Sequence, residues 1–464
     1  MTEDLAQAEA PMATTVAEPA PGAAASVPHP KRNLVVVGGS MVVDGGEGSL
    51  ANTLFPVIQA SLGLATSALG ILAASARLVG AVAGPTWVAL ARKFGRKGVL
   101  AVATGFWGLW GIAAGFSQSF VQLVILYTIM AAGTAASHAI VPTVISDSFT
   151  DKARGRVVGM LYGFVGLAAS VLAPLIGQLA NIENGWRYGF FIFGAVNMLF
   201  GLLIVLFYQD PGEGSAEAQL GSFTQEQRDA TEQSVTFAKA ASLLRIRSYA
   251  IMLVSRLLSS HLLLAAFGVV LLVQEFGFDT ALAATIMAPF GVGFLAGTLV
   301  GGWAGDALNR WSINYGRVGF LQVAQILFAV VAFFATQFSY GSIAPYLALF
   351  GLVGLTQGLN PGVNRPLVMA VVPPELRGAA FAIFVSIAES IGFAAYALLG
   401  GFLADAFGLQ QVMLWLAVGL MLVNGVFLTA LYRPYARDRA RLQSELDARR
   451  DAILQRSAGT EPAA

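Results

Sequence analysis

Long apolar segments recur along most of the chain. Twelve of these runs, separated by short polar turns, are each about 20 residues or longer. Charged residues make up 11% of the sequence, whereas a soluble domain carries about 25%. Lipid offers no hydrogen-bond partner to the backbone, so an apolar run of this length crosses a bilayer as an α-helix. The sequence therefore predicts an all-α membrane protein with twelve transmembrane helices.

The predicted spans fall into two groups of six. Their approximate limits are 33–59, 67–91, 98–117, 120–146, 157–180, 188–208, 248–274, 280–304, 318–337, 344–371, 379–403 and 411–432. The remaining segments are a disordered tail over 1–32, a polar linker over 209–247 and a charged tail over 433–464. The bundles are thus expected over 33–208 and 248–432.

Basic residues concentrate on one side of the predicted spans. The loops "RKFGRK" (92–97) and "DKARGR" (151–156) are basic, whereas the alternate loops "SLGLATS" and "EFGFD" contain no Lys or Arg. Loops rich in Lys and Arg stay in the cytoplasm. We therefore expect a multi-pass protein of a bacterial-type inner membrane with both termini in the cytoplasm.

The two halves share a sequence pattern, and the loop between the second and third spans resembles that of a known family. "VPTVISDSFTDKARGRVVGML" (141–161) and "RPLVMAVVPPELRGAAFAIF" (365–384) both run from a Pro in a span to an Arg-Gly that opens the next span. With "GPTWVALARKFGRKGVL" (84–100), the chain resembles a transporter of the major facilitator superfamily (MFS). The resemblance implies two pseudo-symmetric six-helix bundles and transport by alternating access.

The family's signature loop is altered in this chain. Its matching positions are Gly84, Lys93, Gly95, Arg96 and Lys97, and its remnant in the second half keeps Gly302 and Asp306. In the family, an Asp of this loop faces a helix N-terminus and latches the cytoplasmic ends of the two halves. Arg92 stands at that Asp position. The resemblance thus implies a weakened first-half latch, or a latch that depends on Asp306.

Two further segments are similar to branches of the family. "GFVGLAASVLAPLIG" (163–177) resembles an antiporter element, with Pro174 and Gly177 at matching positions. A Pro-kinked span that packs through small residues is the alternative. Asp44 lies midway along the first span, as an Asp does in several exporter branches, including spinster-like carriers.

Four ionisable residues are predicted at mid-depth, where a charge is costly and marks a functional site by default. They are Asp44, Glu47, Arg77 and Glu389. Asp44 and Glu47 lie one helical turn apart, and two like charges in a low dielectric disfavour joint ionisation, so we expect a proton-exchanging pair. Arg77 is predicted level with Asp44 and is either its permanent salt-bridge partner or a switch. The glycines of "VVDGGEGS" are expected to loosen this helix.

Further polar residues lie on spans that line the central cavity in the family. They are His138, Arg256, His261, Asn360, Asn364 and Arg365. We expect them to line the substrate cavity. Alternatively, the histidines are hydrogen-bonded structural residues and Arg365 extends to the cytoplasmic interface.

These features together favour a proton-coupled secondary transporter. The leading hypothesis is export of a drug-like or amphiphilic small molecule, and the alternative is uptake of a small organic anion or nutrient. A non-transporting receptor or assembly factor on the same fold is a third possibility. We expect no enzyme activity, no metal site, no nucleic-acid partner and no cofactor beyond a proton gradient. The expected partners are substrate, protons and lipid, and the expected state is a monomer.

Overall fold

The computed structural model describes residues 29–149, 151–212 and 241–458. Of the predicted disordered tail over 1–32, residues 1–28 lie outside the described residues, and residues 30–32 belong to the first helix. The central part of the linker, 213–240, also lies outside the described residues. Within them the chain is helical, and no residue there lies in a β-strand. The prediction of an all-α membrane protein is confirmed.

The first half contains six long helices in chain order. They are α1 (Pro30–Leu62), α2 (Ser67–Phe94), α3 (Arg96–Gly115), α4 (Phe120–Ser148), α5 (Asp151–Gln178) and α6 (Gly185–Phe207). Short turns join most of them. At one turn, Gly95 has φ +84°, a conformation that few residues other than glycine adopt, which lets α3 begin directly after α2.

The second half repeats this order with two broken helices. Its elements are α7a (Arg247–Leu257), α7b (Leu263–Gln274), α8 (Thr280–Trp311), α9 (Gly316–Gln337), α10a (Ile343–Gly358), α10b (Pro361–Val371), α11 (Pro374–Phe407), α12 (409–431) and the tail helix α13 (Tyr432–Ala458). The break in α10 precedes Pro361, which has no N–H to donate.

The predicted spans match the observed helices, with one correction. Among the described residues, eleven helices are long and apolar enough to cross a bilayer. The predicted seventh span, 248–274, is instead divided between α7a and the shorter apolar α7b, with an irregular stretch over 258–262. Together these elements occupy all twelve predicted positions.

The two halves meet through α2 against α11 and α5 against α8. Small residues allow these helices to approach closely. A Cβ on Gly401 of α11 would lie 2.9 Å from Cα of Ser67, and a Cβ on Gly177 of α5 would lie 2.6 Å from Cβ of Ala284. Both contacts lie where α2 and α8 begin and where α5 and α11 end. We call this end of the bundle the closed end.

Helix α1 is continuous, so the expectation that its glycines loosen it is wrong. The helix runs unbroken through the "VVDGGEGS" segment. The rings of Phe200 and Phe193, both on α6, occupy the space that side chains would need at Gly39 and Gly46. Gly46 of this segment and Gly39 before it thus serve close helix packing, whereas a Cβ on Gly48 would meet nothing within 4 Å.

Candidate functional site: a charged cluster between the halves

Three ionisable side chains from both halves form one cluster. Arg77 of α2 donates from Nη2 to Oε1 of Glu389 on α11 at 3.0 Å. Arg256, in the last turn of α7a, donates from Nη2 to the second oxygen, Oε2, of the same carboxylate. One carboxylate therefore serves two guanidinium groups, and the cluster carries one net positive charge. The pair Arg77–Glu389 joins the first half to the second.

The cluster is only partly shielded from solvent. The side chain of Arg77 is 42% exposed, whereas those of Glu389 and Arg256 are 12% and 13% exposed. Phenylalanines of α11 pack against the cations: the guanidinium carbon of Arg77 lies 5.7 Å from the ring centre of Phe393, and that of Arg256 lies 5.5 Å from Phe384. Such contacts hold a guanidinium in place without neutralising it. Arg77 is therefore the more accessible of the two arginines in the cluster.

The break in α7 places His261 beside this cluster. Irregular backbone is tolerated at this depth only where its polar groups find partners. The carbonyl of Leu257 accepts a hydrogen bond of 2.6 Å from the Tyr396 hydroxyl, and the Ser260 hydroxyl donates to the carbonyl of Leu416 at 2.6 Å. His261 is buried, with Nδ1 2.7 Å from Oγ of Ser259, and it lies within electrostatic reach of Arg256.

Two other predicted cavity residues have exposed side chains. His138 of α4 lies within electrostatic reach of Arg77, so it faces the same space from the first half. Arg365 of α10b is exposed and makes no hydrogen bond or ion pair with a described residue. The structure thus groups His138 and His261 with the charged cluster. Arg365 directly follows Asn364 in α10b and forms no ion pair with the cluster.

A small polar pocket opens next to Arg256 inside the second half. Its lining includes Ser255 and Ser259 from the same face of α7, Gln325 from α9 and Asn364 from α10b. Asn360 does not line the pocket but is connected to it through Gln325, because its Oδ1 accepts a hydrogen bond of 2.7 Å from Nε2 of Gln325. The predicted residues Asn360 and Asn364 therefore act next to Arg256.

Asp44 and Glu47, the predicted proton-exchanging pair, lie apart from this cluster, which corrects the expected pairing of Asp44 with Arg77. Asp44 and Glu47 are only 2% and 1% exposed, inside the first half, and do not line the space between the halves. Oε2 of Glu47 accepts a hydrogen bond of 2.6 Å from Nδ2 of Asn197. Among the described residues, no Lys or Arg pairs with either acid. The predicted Arg77–Asp44 salt bridge is wrong, because Arg77 binds Glu389.

Asp44 is the least satisfied group of this interior. Ser137 of α4 approaches it, but the Ser137 hydroxyl donates to the carbonyl of Thr134 at 3.0 Å. Both carboxyl oxygens of Asp44 remain without a hydrogen bond to any described residue. An unpaired buried charge is costly, so the two acids are not expected to be ionised together.

The residues of the signature loop are divided between a buried anchor and an exposed surface. Arg96 is 5% exposed; its Nη1 donates to Asp147 at 2.5 Å, while its Nε and Nη2 donate to Asp210 at 3.1 and 2.6 Å. Arg92 and Lys93 are exposed, and Lys97 is half-buried. Arg96 thus fastens α3 to the end of α4 and to the segment that follows α6, all within the first half.

The remaining predicted residues also act within their own half or in packing. Asp306 of α8 accepts a hydrogen bond of 2.7 Å from Nη2 of Arg317 on α9, so here its partner lies within the second half. A Cβ on Gly302 would meet nothing within 4 Å, and one on Gly84 would meet its nearest neighbour at 3.8 Å. Pro174 lies inside the continuous helix α5, one turn before Gly177.

Several important residues escaped the sequence prediction. Gln325 and Asn197 are polar residues in apolar spans, so a search for neutral polar side chains at mid-depth would have found both. Asp147 and Asp210 carry no such signal, because charged residues are ordinary at the end of a span, where Asp147 closes α4 and Asp210 follows α6. Their role follows only from the position of Arg96 between them.

Two six-span halves with a charged cluster at their interface are the architecture of a membrane transporter. The sequence pattern of the Major Facilitator Superfamily matches residues 37–321 and 307–462. The chain belongs to this superfamily, and the prediction of the family is confirmed. The same assignment confirms the prediction that the chain is related to transporters and not to enzymes.

A solved structure with the same fold and two curated relatives are similar to this chain, and their names give different substrates. A bacterial homologue of the human lysosomal transporter spinster, in an inward-facing and unoccupied conformation, superposes with a TM-score of 0.70 at 16% identity, covering 90% of this chain and 98% of that one. A probable sulfoacetate transporter of Cupriavidus necator is 28% identical over 33% of this chain and 36% of its own length. Multidrug resistance protein 3 of Bacillus subtilis is 30% identical over 29% and 26%. The match thus spans less than half of either curated relative.

Proposed function

We propose that this chain is a proton-coupled secondary transporter of small organic anions, such as carboxylates or sulfonates. The observation that carries the proposal is the shared carboxylate of Glu389 between Arg77 and Arg256. Two guanidinium groups and one carboxylate leave one positive charge to be balanced. Guanidinium groups bind carboxylates and sulfonates through paired, charge-assisted hydrogen bonds.

The position of the acids argues against a cationic substrate. A drug-like cation needs an accessible carboxylate, but Asp44 and Glu47 are buried inside the first half. Glu389 is already bound by two arginines. The likeness to a probable sulfoacetate transporter supports the anion, because sulfoacetate is itself a small organic anion. The likeness to multidrug resistance protein 3 supports drug efflux as the competing function.

The ion pair between the halves suggests how binding drives the transport cycle. A substrate carboxylate that binds Arg77 replaces Oε1 of Glu389 on that arginine. This replacement removes a direct bond between α2 and α11, so one half is freed to rock against the other. The basic loops assign the closed end to the outside, and the described conformation is then inward-facing.

Proton coupling is assigned to Asp44 and Glu47. Their burial without a cationic partner favours uptake and release of a proton over permanent ionisation of both. Glu47 contacts α3 at Gly111 and α6 at Asn197, so a change in its charge alters the packing of three helices. In this mechanism the proton site and the anion site are separate.

Reconstituted protein offers a direct test. Proteoliposomes with an imposed pH gradient are assayed for flux of a panel of labelled monocarboxylates and sulfonates, and of hydrophobic cations. We expect anion flux, and we expect Arg256→Gln to weaken anion binding about 30-fold or more, because truncating a buried, hydrogen-bonded charge costs about 2 kcal/mol or more. Arg437→Gln, in the exposed tail helix, is the matched control. Flux of cations without flux of any anion would overturn the proposal in favour of drug efflux.

A further inference from the structure

The polar pocket beside Arg256 is built from buried side chains. Ser255, Gln325 and Asn364 are 6%, 3% and 8% exposed. Its free space holds about one water-sized group. The remaining walls are apolar, from Met252, Leu321 and Phe384. A pocket this small selects a single functional group and not a whole molecule.

Two polar atoms of this pocket's lining residues are unpaired. Gln325 donates to Asn360 through Nε2, but its carbonyl oxygen Oε1 has no donor among the described residues. Arg256 donates to Glu389 through Nη2, but its Nε–H has no acceptor there. Leaving such buried groups unsatisfied is unfavourable. Both residues line the pocket, and one carries an unpaired acceptor while the other carries an unpaired donor.

We infer that this pocket is the subsite for a hydroxyl group carried by the transported anion. The inference rests on the proposed function and narrows its substrate class to hydroxycarboxylates and hydroxysulfonates. A hydroxyl donates to Oε1 of Gln325 and accepts from Nε–H of Arg256, so one group satisfies both atoms. The acid group of the same molecule then lies on the guanidinium groups of Arg77 and Arg256.

Other small groups match this pocket less well. A methyl group satisfies neither atom. An ammonium group donates to Gln325 but places a positive charge beside Arg256. A carboxylate accepts from Arg256 but brings its oxygens against the Gln325 carbonyl. The hydroxyl group is the smallest that both donates and accepts, and a water molecule is its natural replacement in the empty transporter.

Matched pairs of acids test the subsite on the full-length, reconstituted protein. Uptake of the best labelled anion of the panel is competed with 2-hydroxypropanoate against propanoate, and with 2-hydroxyethanesulfonate against ethanesulfonate. We expect the hydroxylated member of at least one pair to compete about tenfold better. Gln325→Leu is expected to abolish this ratio. Gln357→Leu, at a buried glutamine of α10a outside the pocket, is expected to keep it.

The outcomes separate the subsite from the proposed function. Equal competition by both members of each pair in the unmodified protein overturns the subsite and leaves the anion transporter intact, with the pocket holding a structural water only. A hydroxyl preference that survives Gln325→Leu also overturns it. If no acid is transported or competes, both the subsite and the proposed function are wrong. Thermal unfolding of each variant in detergent shows whether it is folded.

Discussion

Asp405 of α11 caps helix α2 across the interface between the halves: its Oδ1 accepts a hydrogen bond of 2.7 Å from the backbone N–H of Thr66, 339 residues away. The next N–H, that of Ser67, lies 3.2 Å from both carboxylate oxygens. A carboxylate at a helix N-terminus satisfies free N–H groups and complements the helix dipole. The family places such a carboxylate in its signature loop, where this chain has Arg92. In this chain the helix-end carboxylate of Asp405 lies at the closed end, where α2 begins, and the signature loop lies at the other end of α2.

The first prediction concerns this cap. Asp405→Ala should shift the population toward opening of the closed end, by roughly fivefold for the loss of about 1 kcal/mol of capping energy. The chain contains no cysteine, so single cysteines can be introduced without prior substitutions. Spin labels at Ser61→Cys and Ala406→Cys, one in each half, report the opening as longer distances between the labels.

A second capping aspartate provides the control for that experiment. Asp279 accepts a hydrogen bond of 2.8 Å from the N–H of Leu282 and caps α8 within its own half. Asp279→Ala removes a cap of the same kind whose partner lies in the same half. Distances that lengthen equally in both variants would contradict a latch between the halves.

The second prediction concerns the packing of α3 against α6, which positions Asn197 beside Glu47. A Cβ on Gly201 would lie 2.8 Å from Cα of Gly105 and 3.0 Å from the backbone nitrogen of Phe106. Backbone cannot yield as a side chain can, so Gly201→Ala should destabilise the fold by about 1–3 kcal/mol. A Cβ on Gly166 of α5 would meet nothing within 4 Å. Gly166→Ala should therefore be neutral or stabilising when the two variants are compared by thermal unfolding.

The third prediction concerns Arg96, which binds two carboxylates in a buried site. Arg96→Gln removes the guanidinium that Asp147 and Asp210 share, and we expect a loss of about 3 kcal/mol or more in unfolding free energy. Asp210→Asn in the same chain should recover part of this loss, because it removes one of the two carboxylate charges. Lys93→Gln, on the exposed part of the same loop, should change stability little. Equal stability of both single variants would refute a structural role for Arg96.

The fourth prediction separates proton coupling from anion binding. Glu47→Gln and Asp44→Asn should each retain exchange of labelled for unlabelled anion at equal pH, because neither residue contacts the arginine cluster. Both should lose accumulation driven by a pH gradient if the pair carries the proton. Full gradient-driven accumulation in both variants would rule out the pair as the coupling site. The unmodified protein must show both activities in the same vesicles.

The fold was accessible from sequence because bilayer thickness sets the length of an apolar run. The break in α7 was not, since 258–262 contains neither Gly nor Pro. That break depends on tertiary partners, namely the Tyr396 hydroxyl on Leu257 and the Leu416 carbonyl that accepts from Ser260. Local composition carries no trace of such partners.

The sequence identified the residues of the charged cluster better than it identified which of them pair. Counting residues along a helix gives the depth of a side chain, and it singled out Arg77, Arg256 and Glu389, which the structure brings into contact. Depth does not give direction around the helix axis with the same accuracy. The sequence therefore did not predict that Asp44 lies buried inside the first half, or that Arg77 pairs with Glu389, 312 residues away. Such a pairing depends on how the two halves dock.

The shared carboxylate of Glu389 has a consequence for the membrane potential. Two arginines and one glutamate leave the empty site with one positive charge, and a bound monoanion cancels it. Moving one charge through 100 mV is worth about 2.3 kcal/mol, so voltage should act on the return of the empty carrier and spare the loaded step. Transient currents in vesicles that lack substrate, and their suppression by a saturating monoanion, are the corresponding measurement. The negative charge of Glu389 thus determines which half of the transport cycle responds to the membrane's electric field.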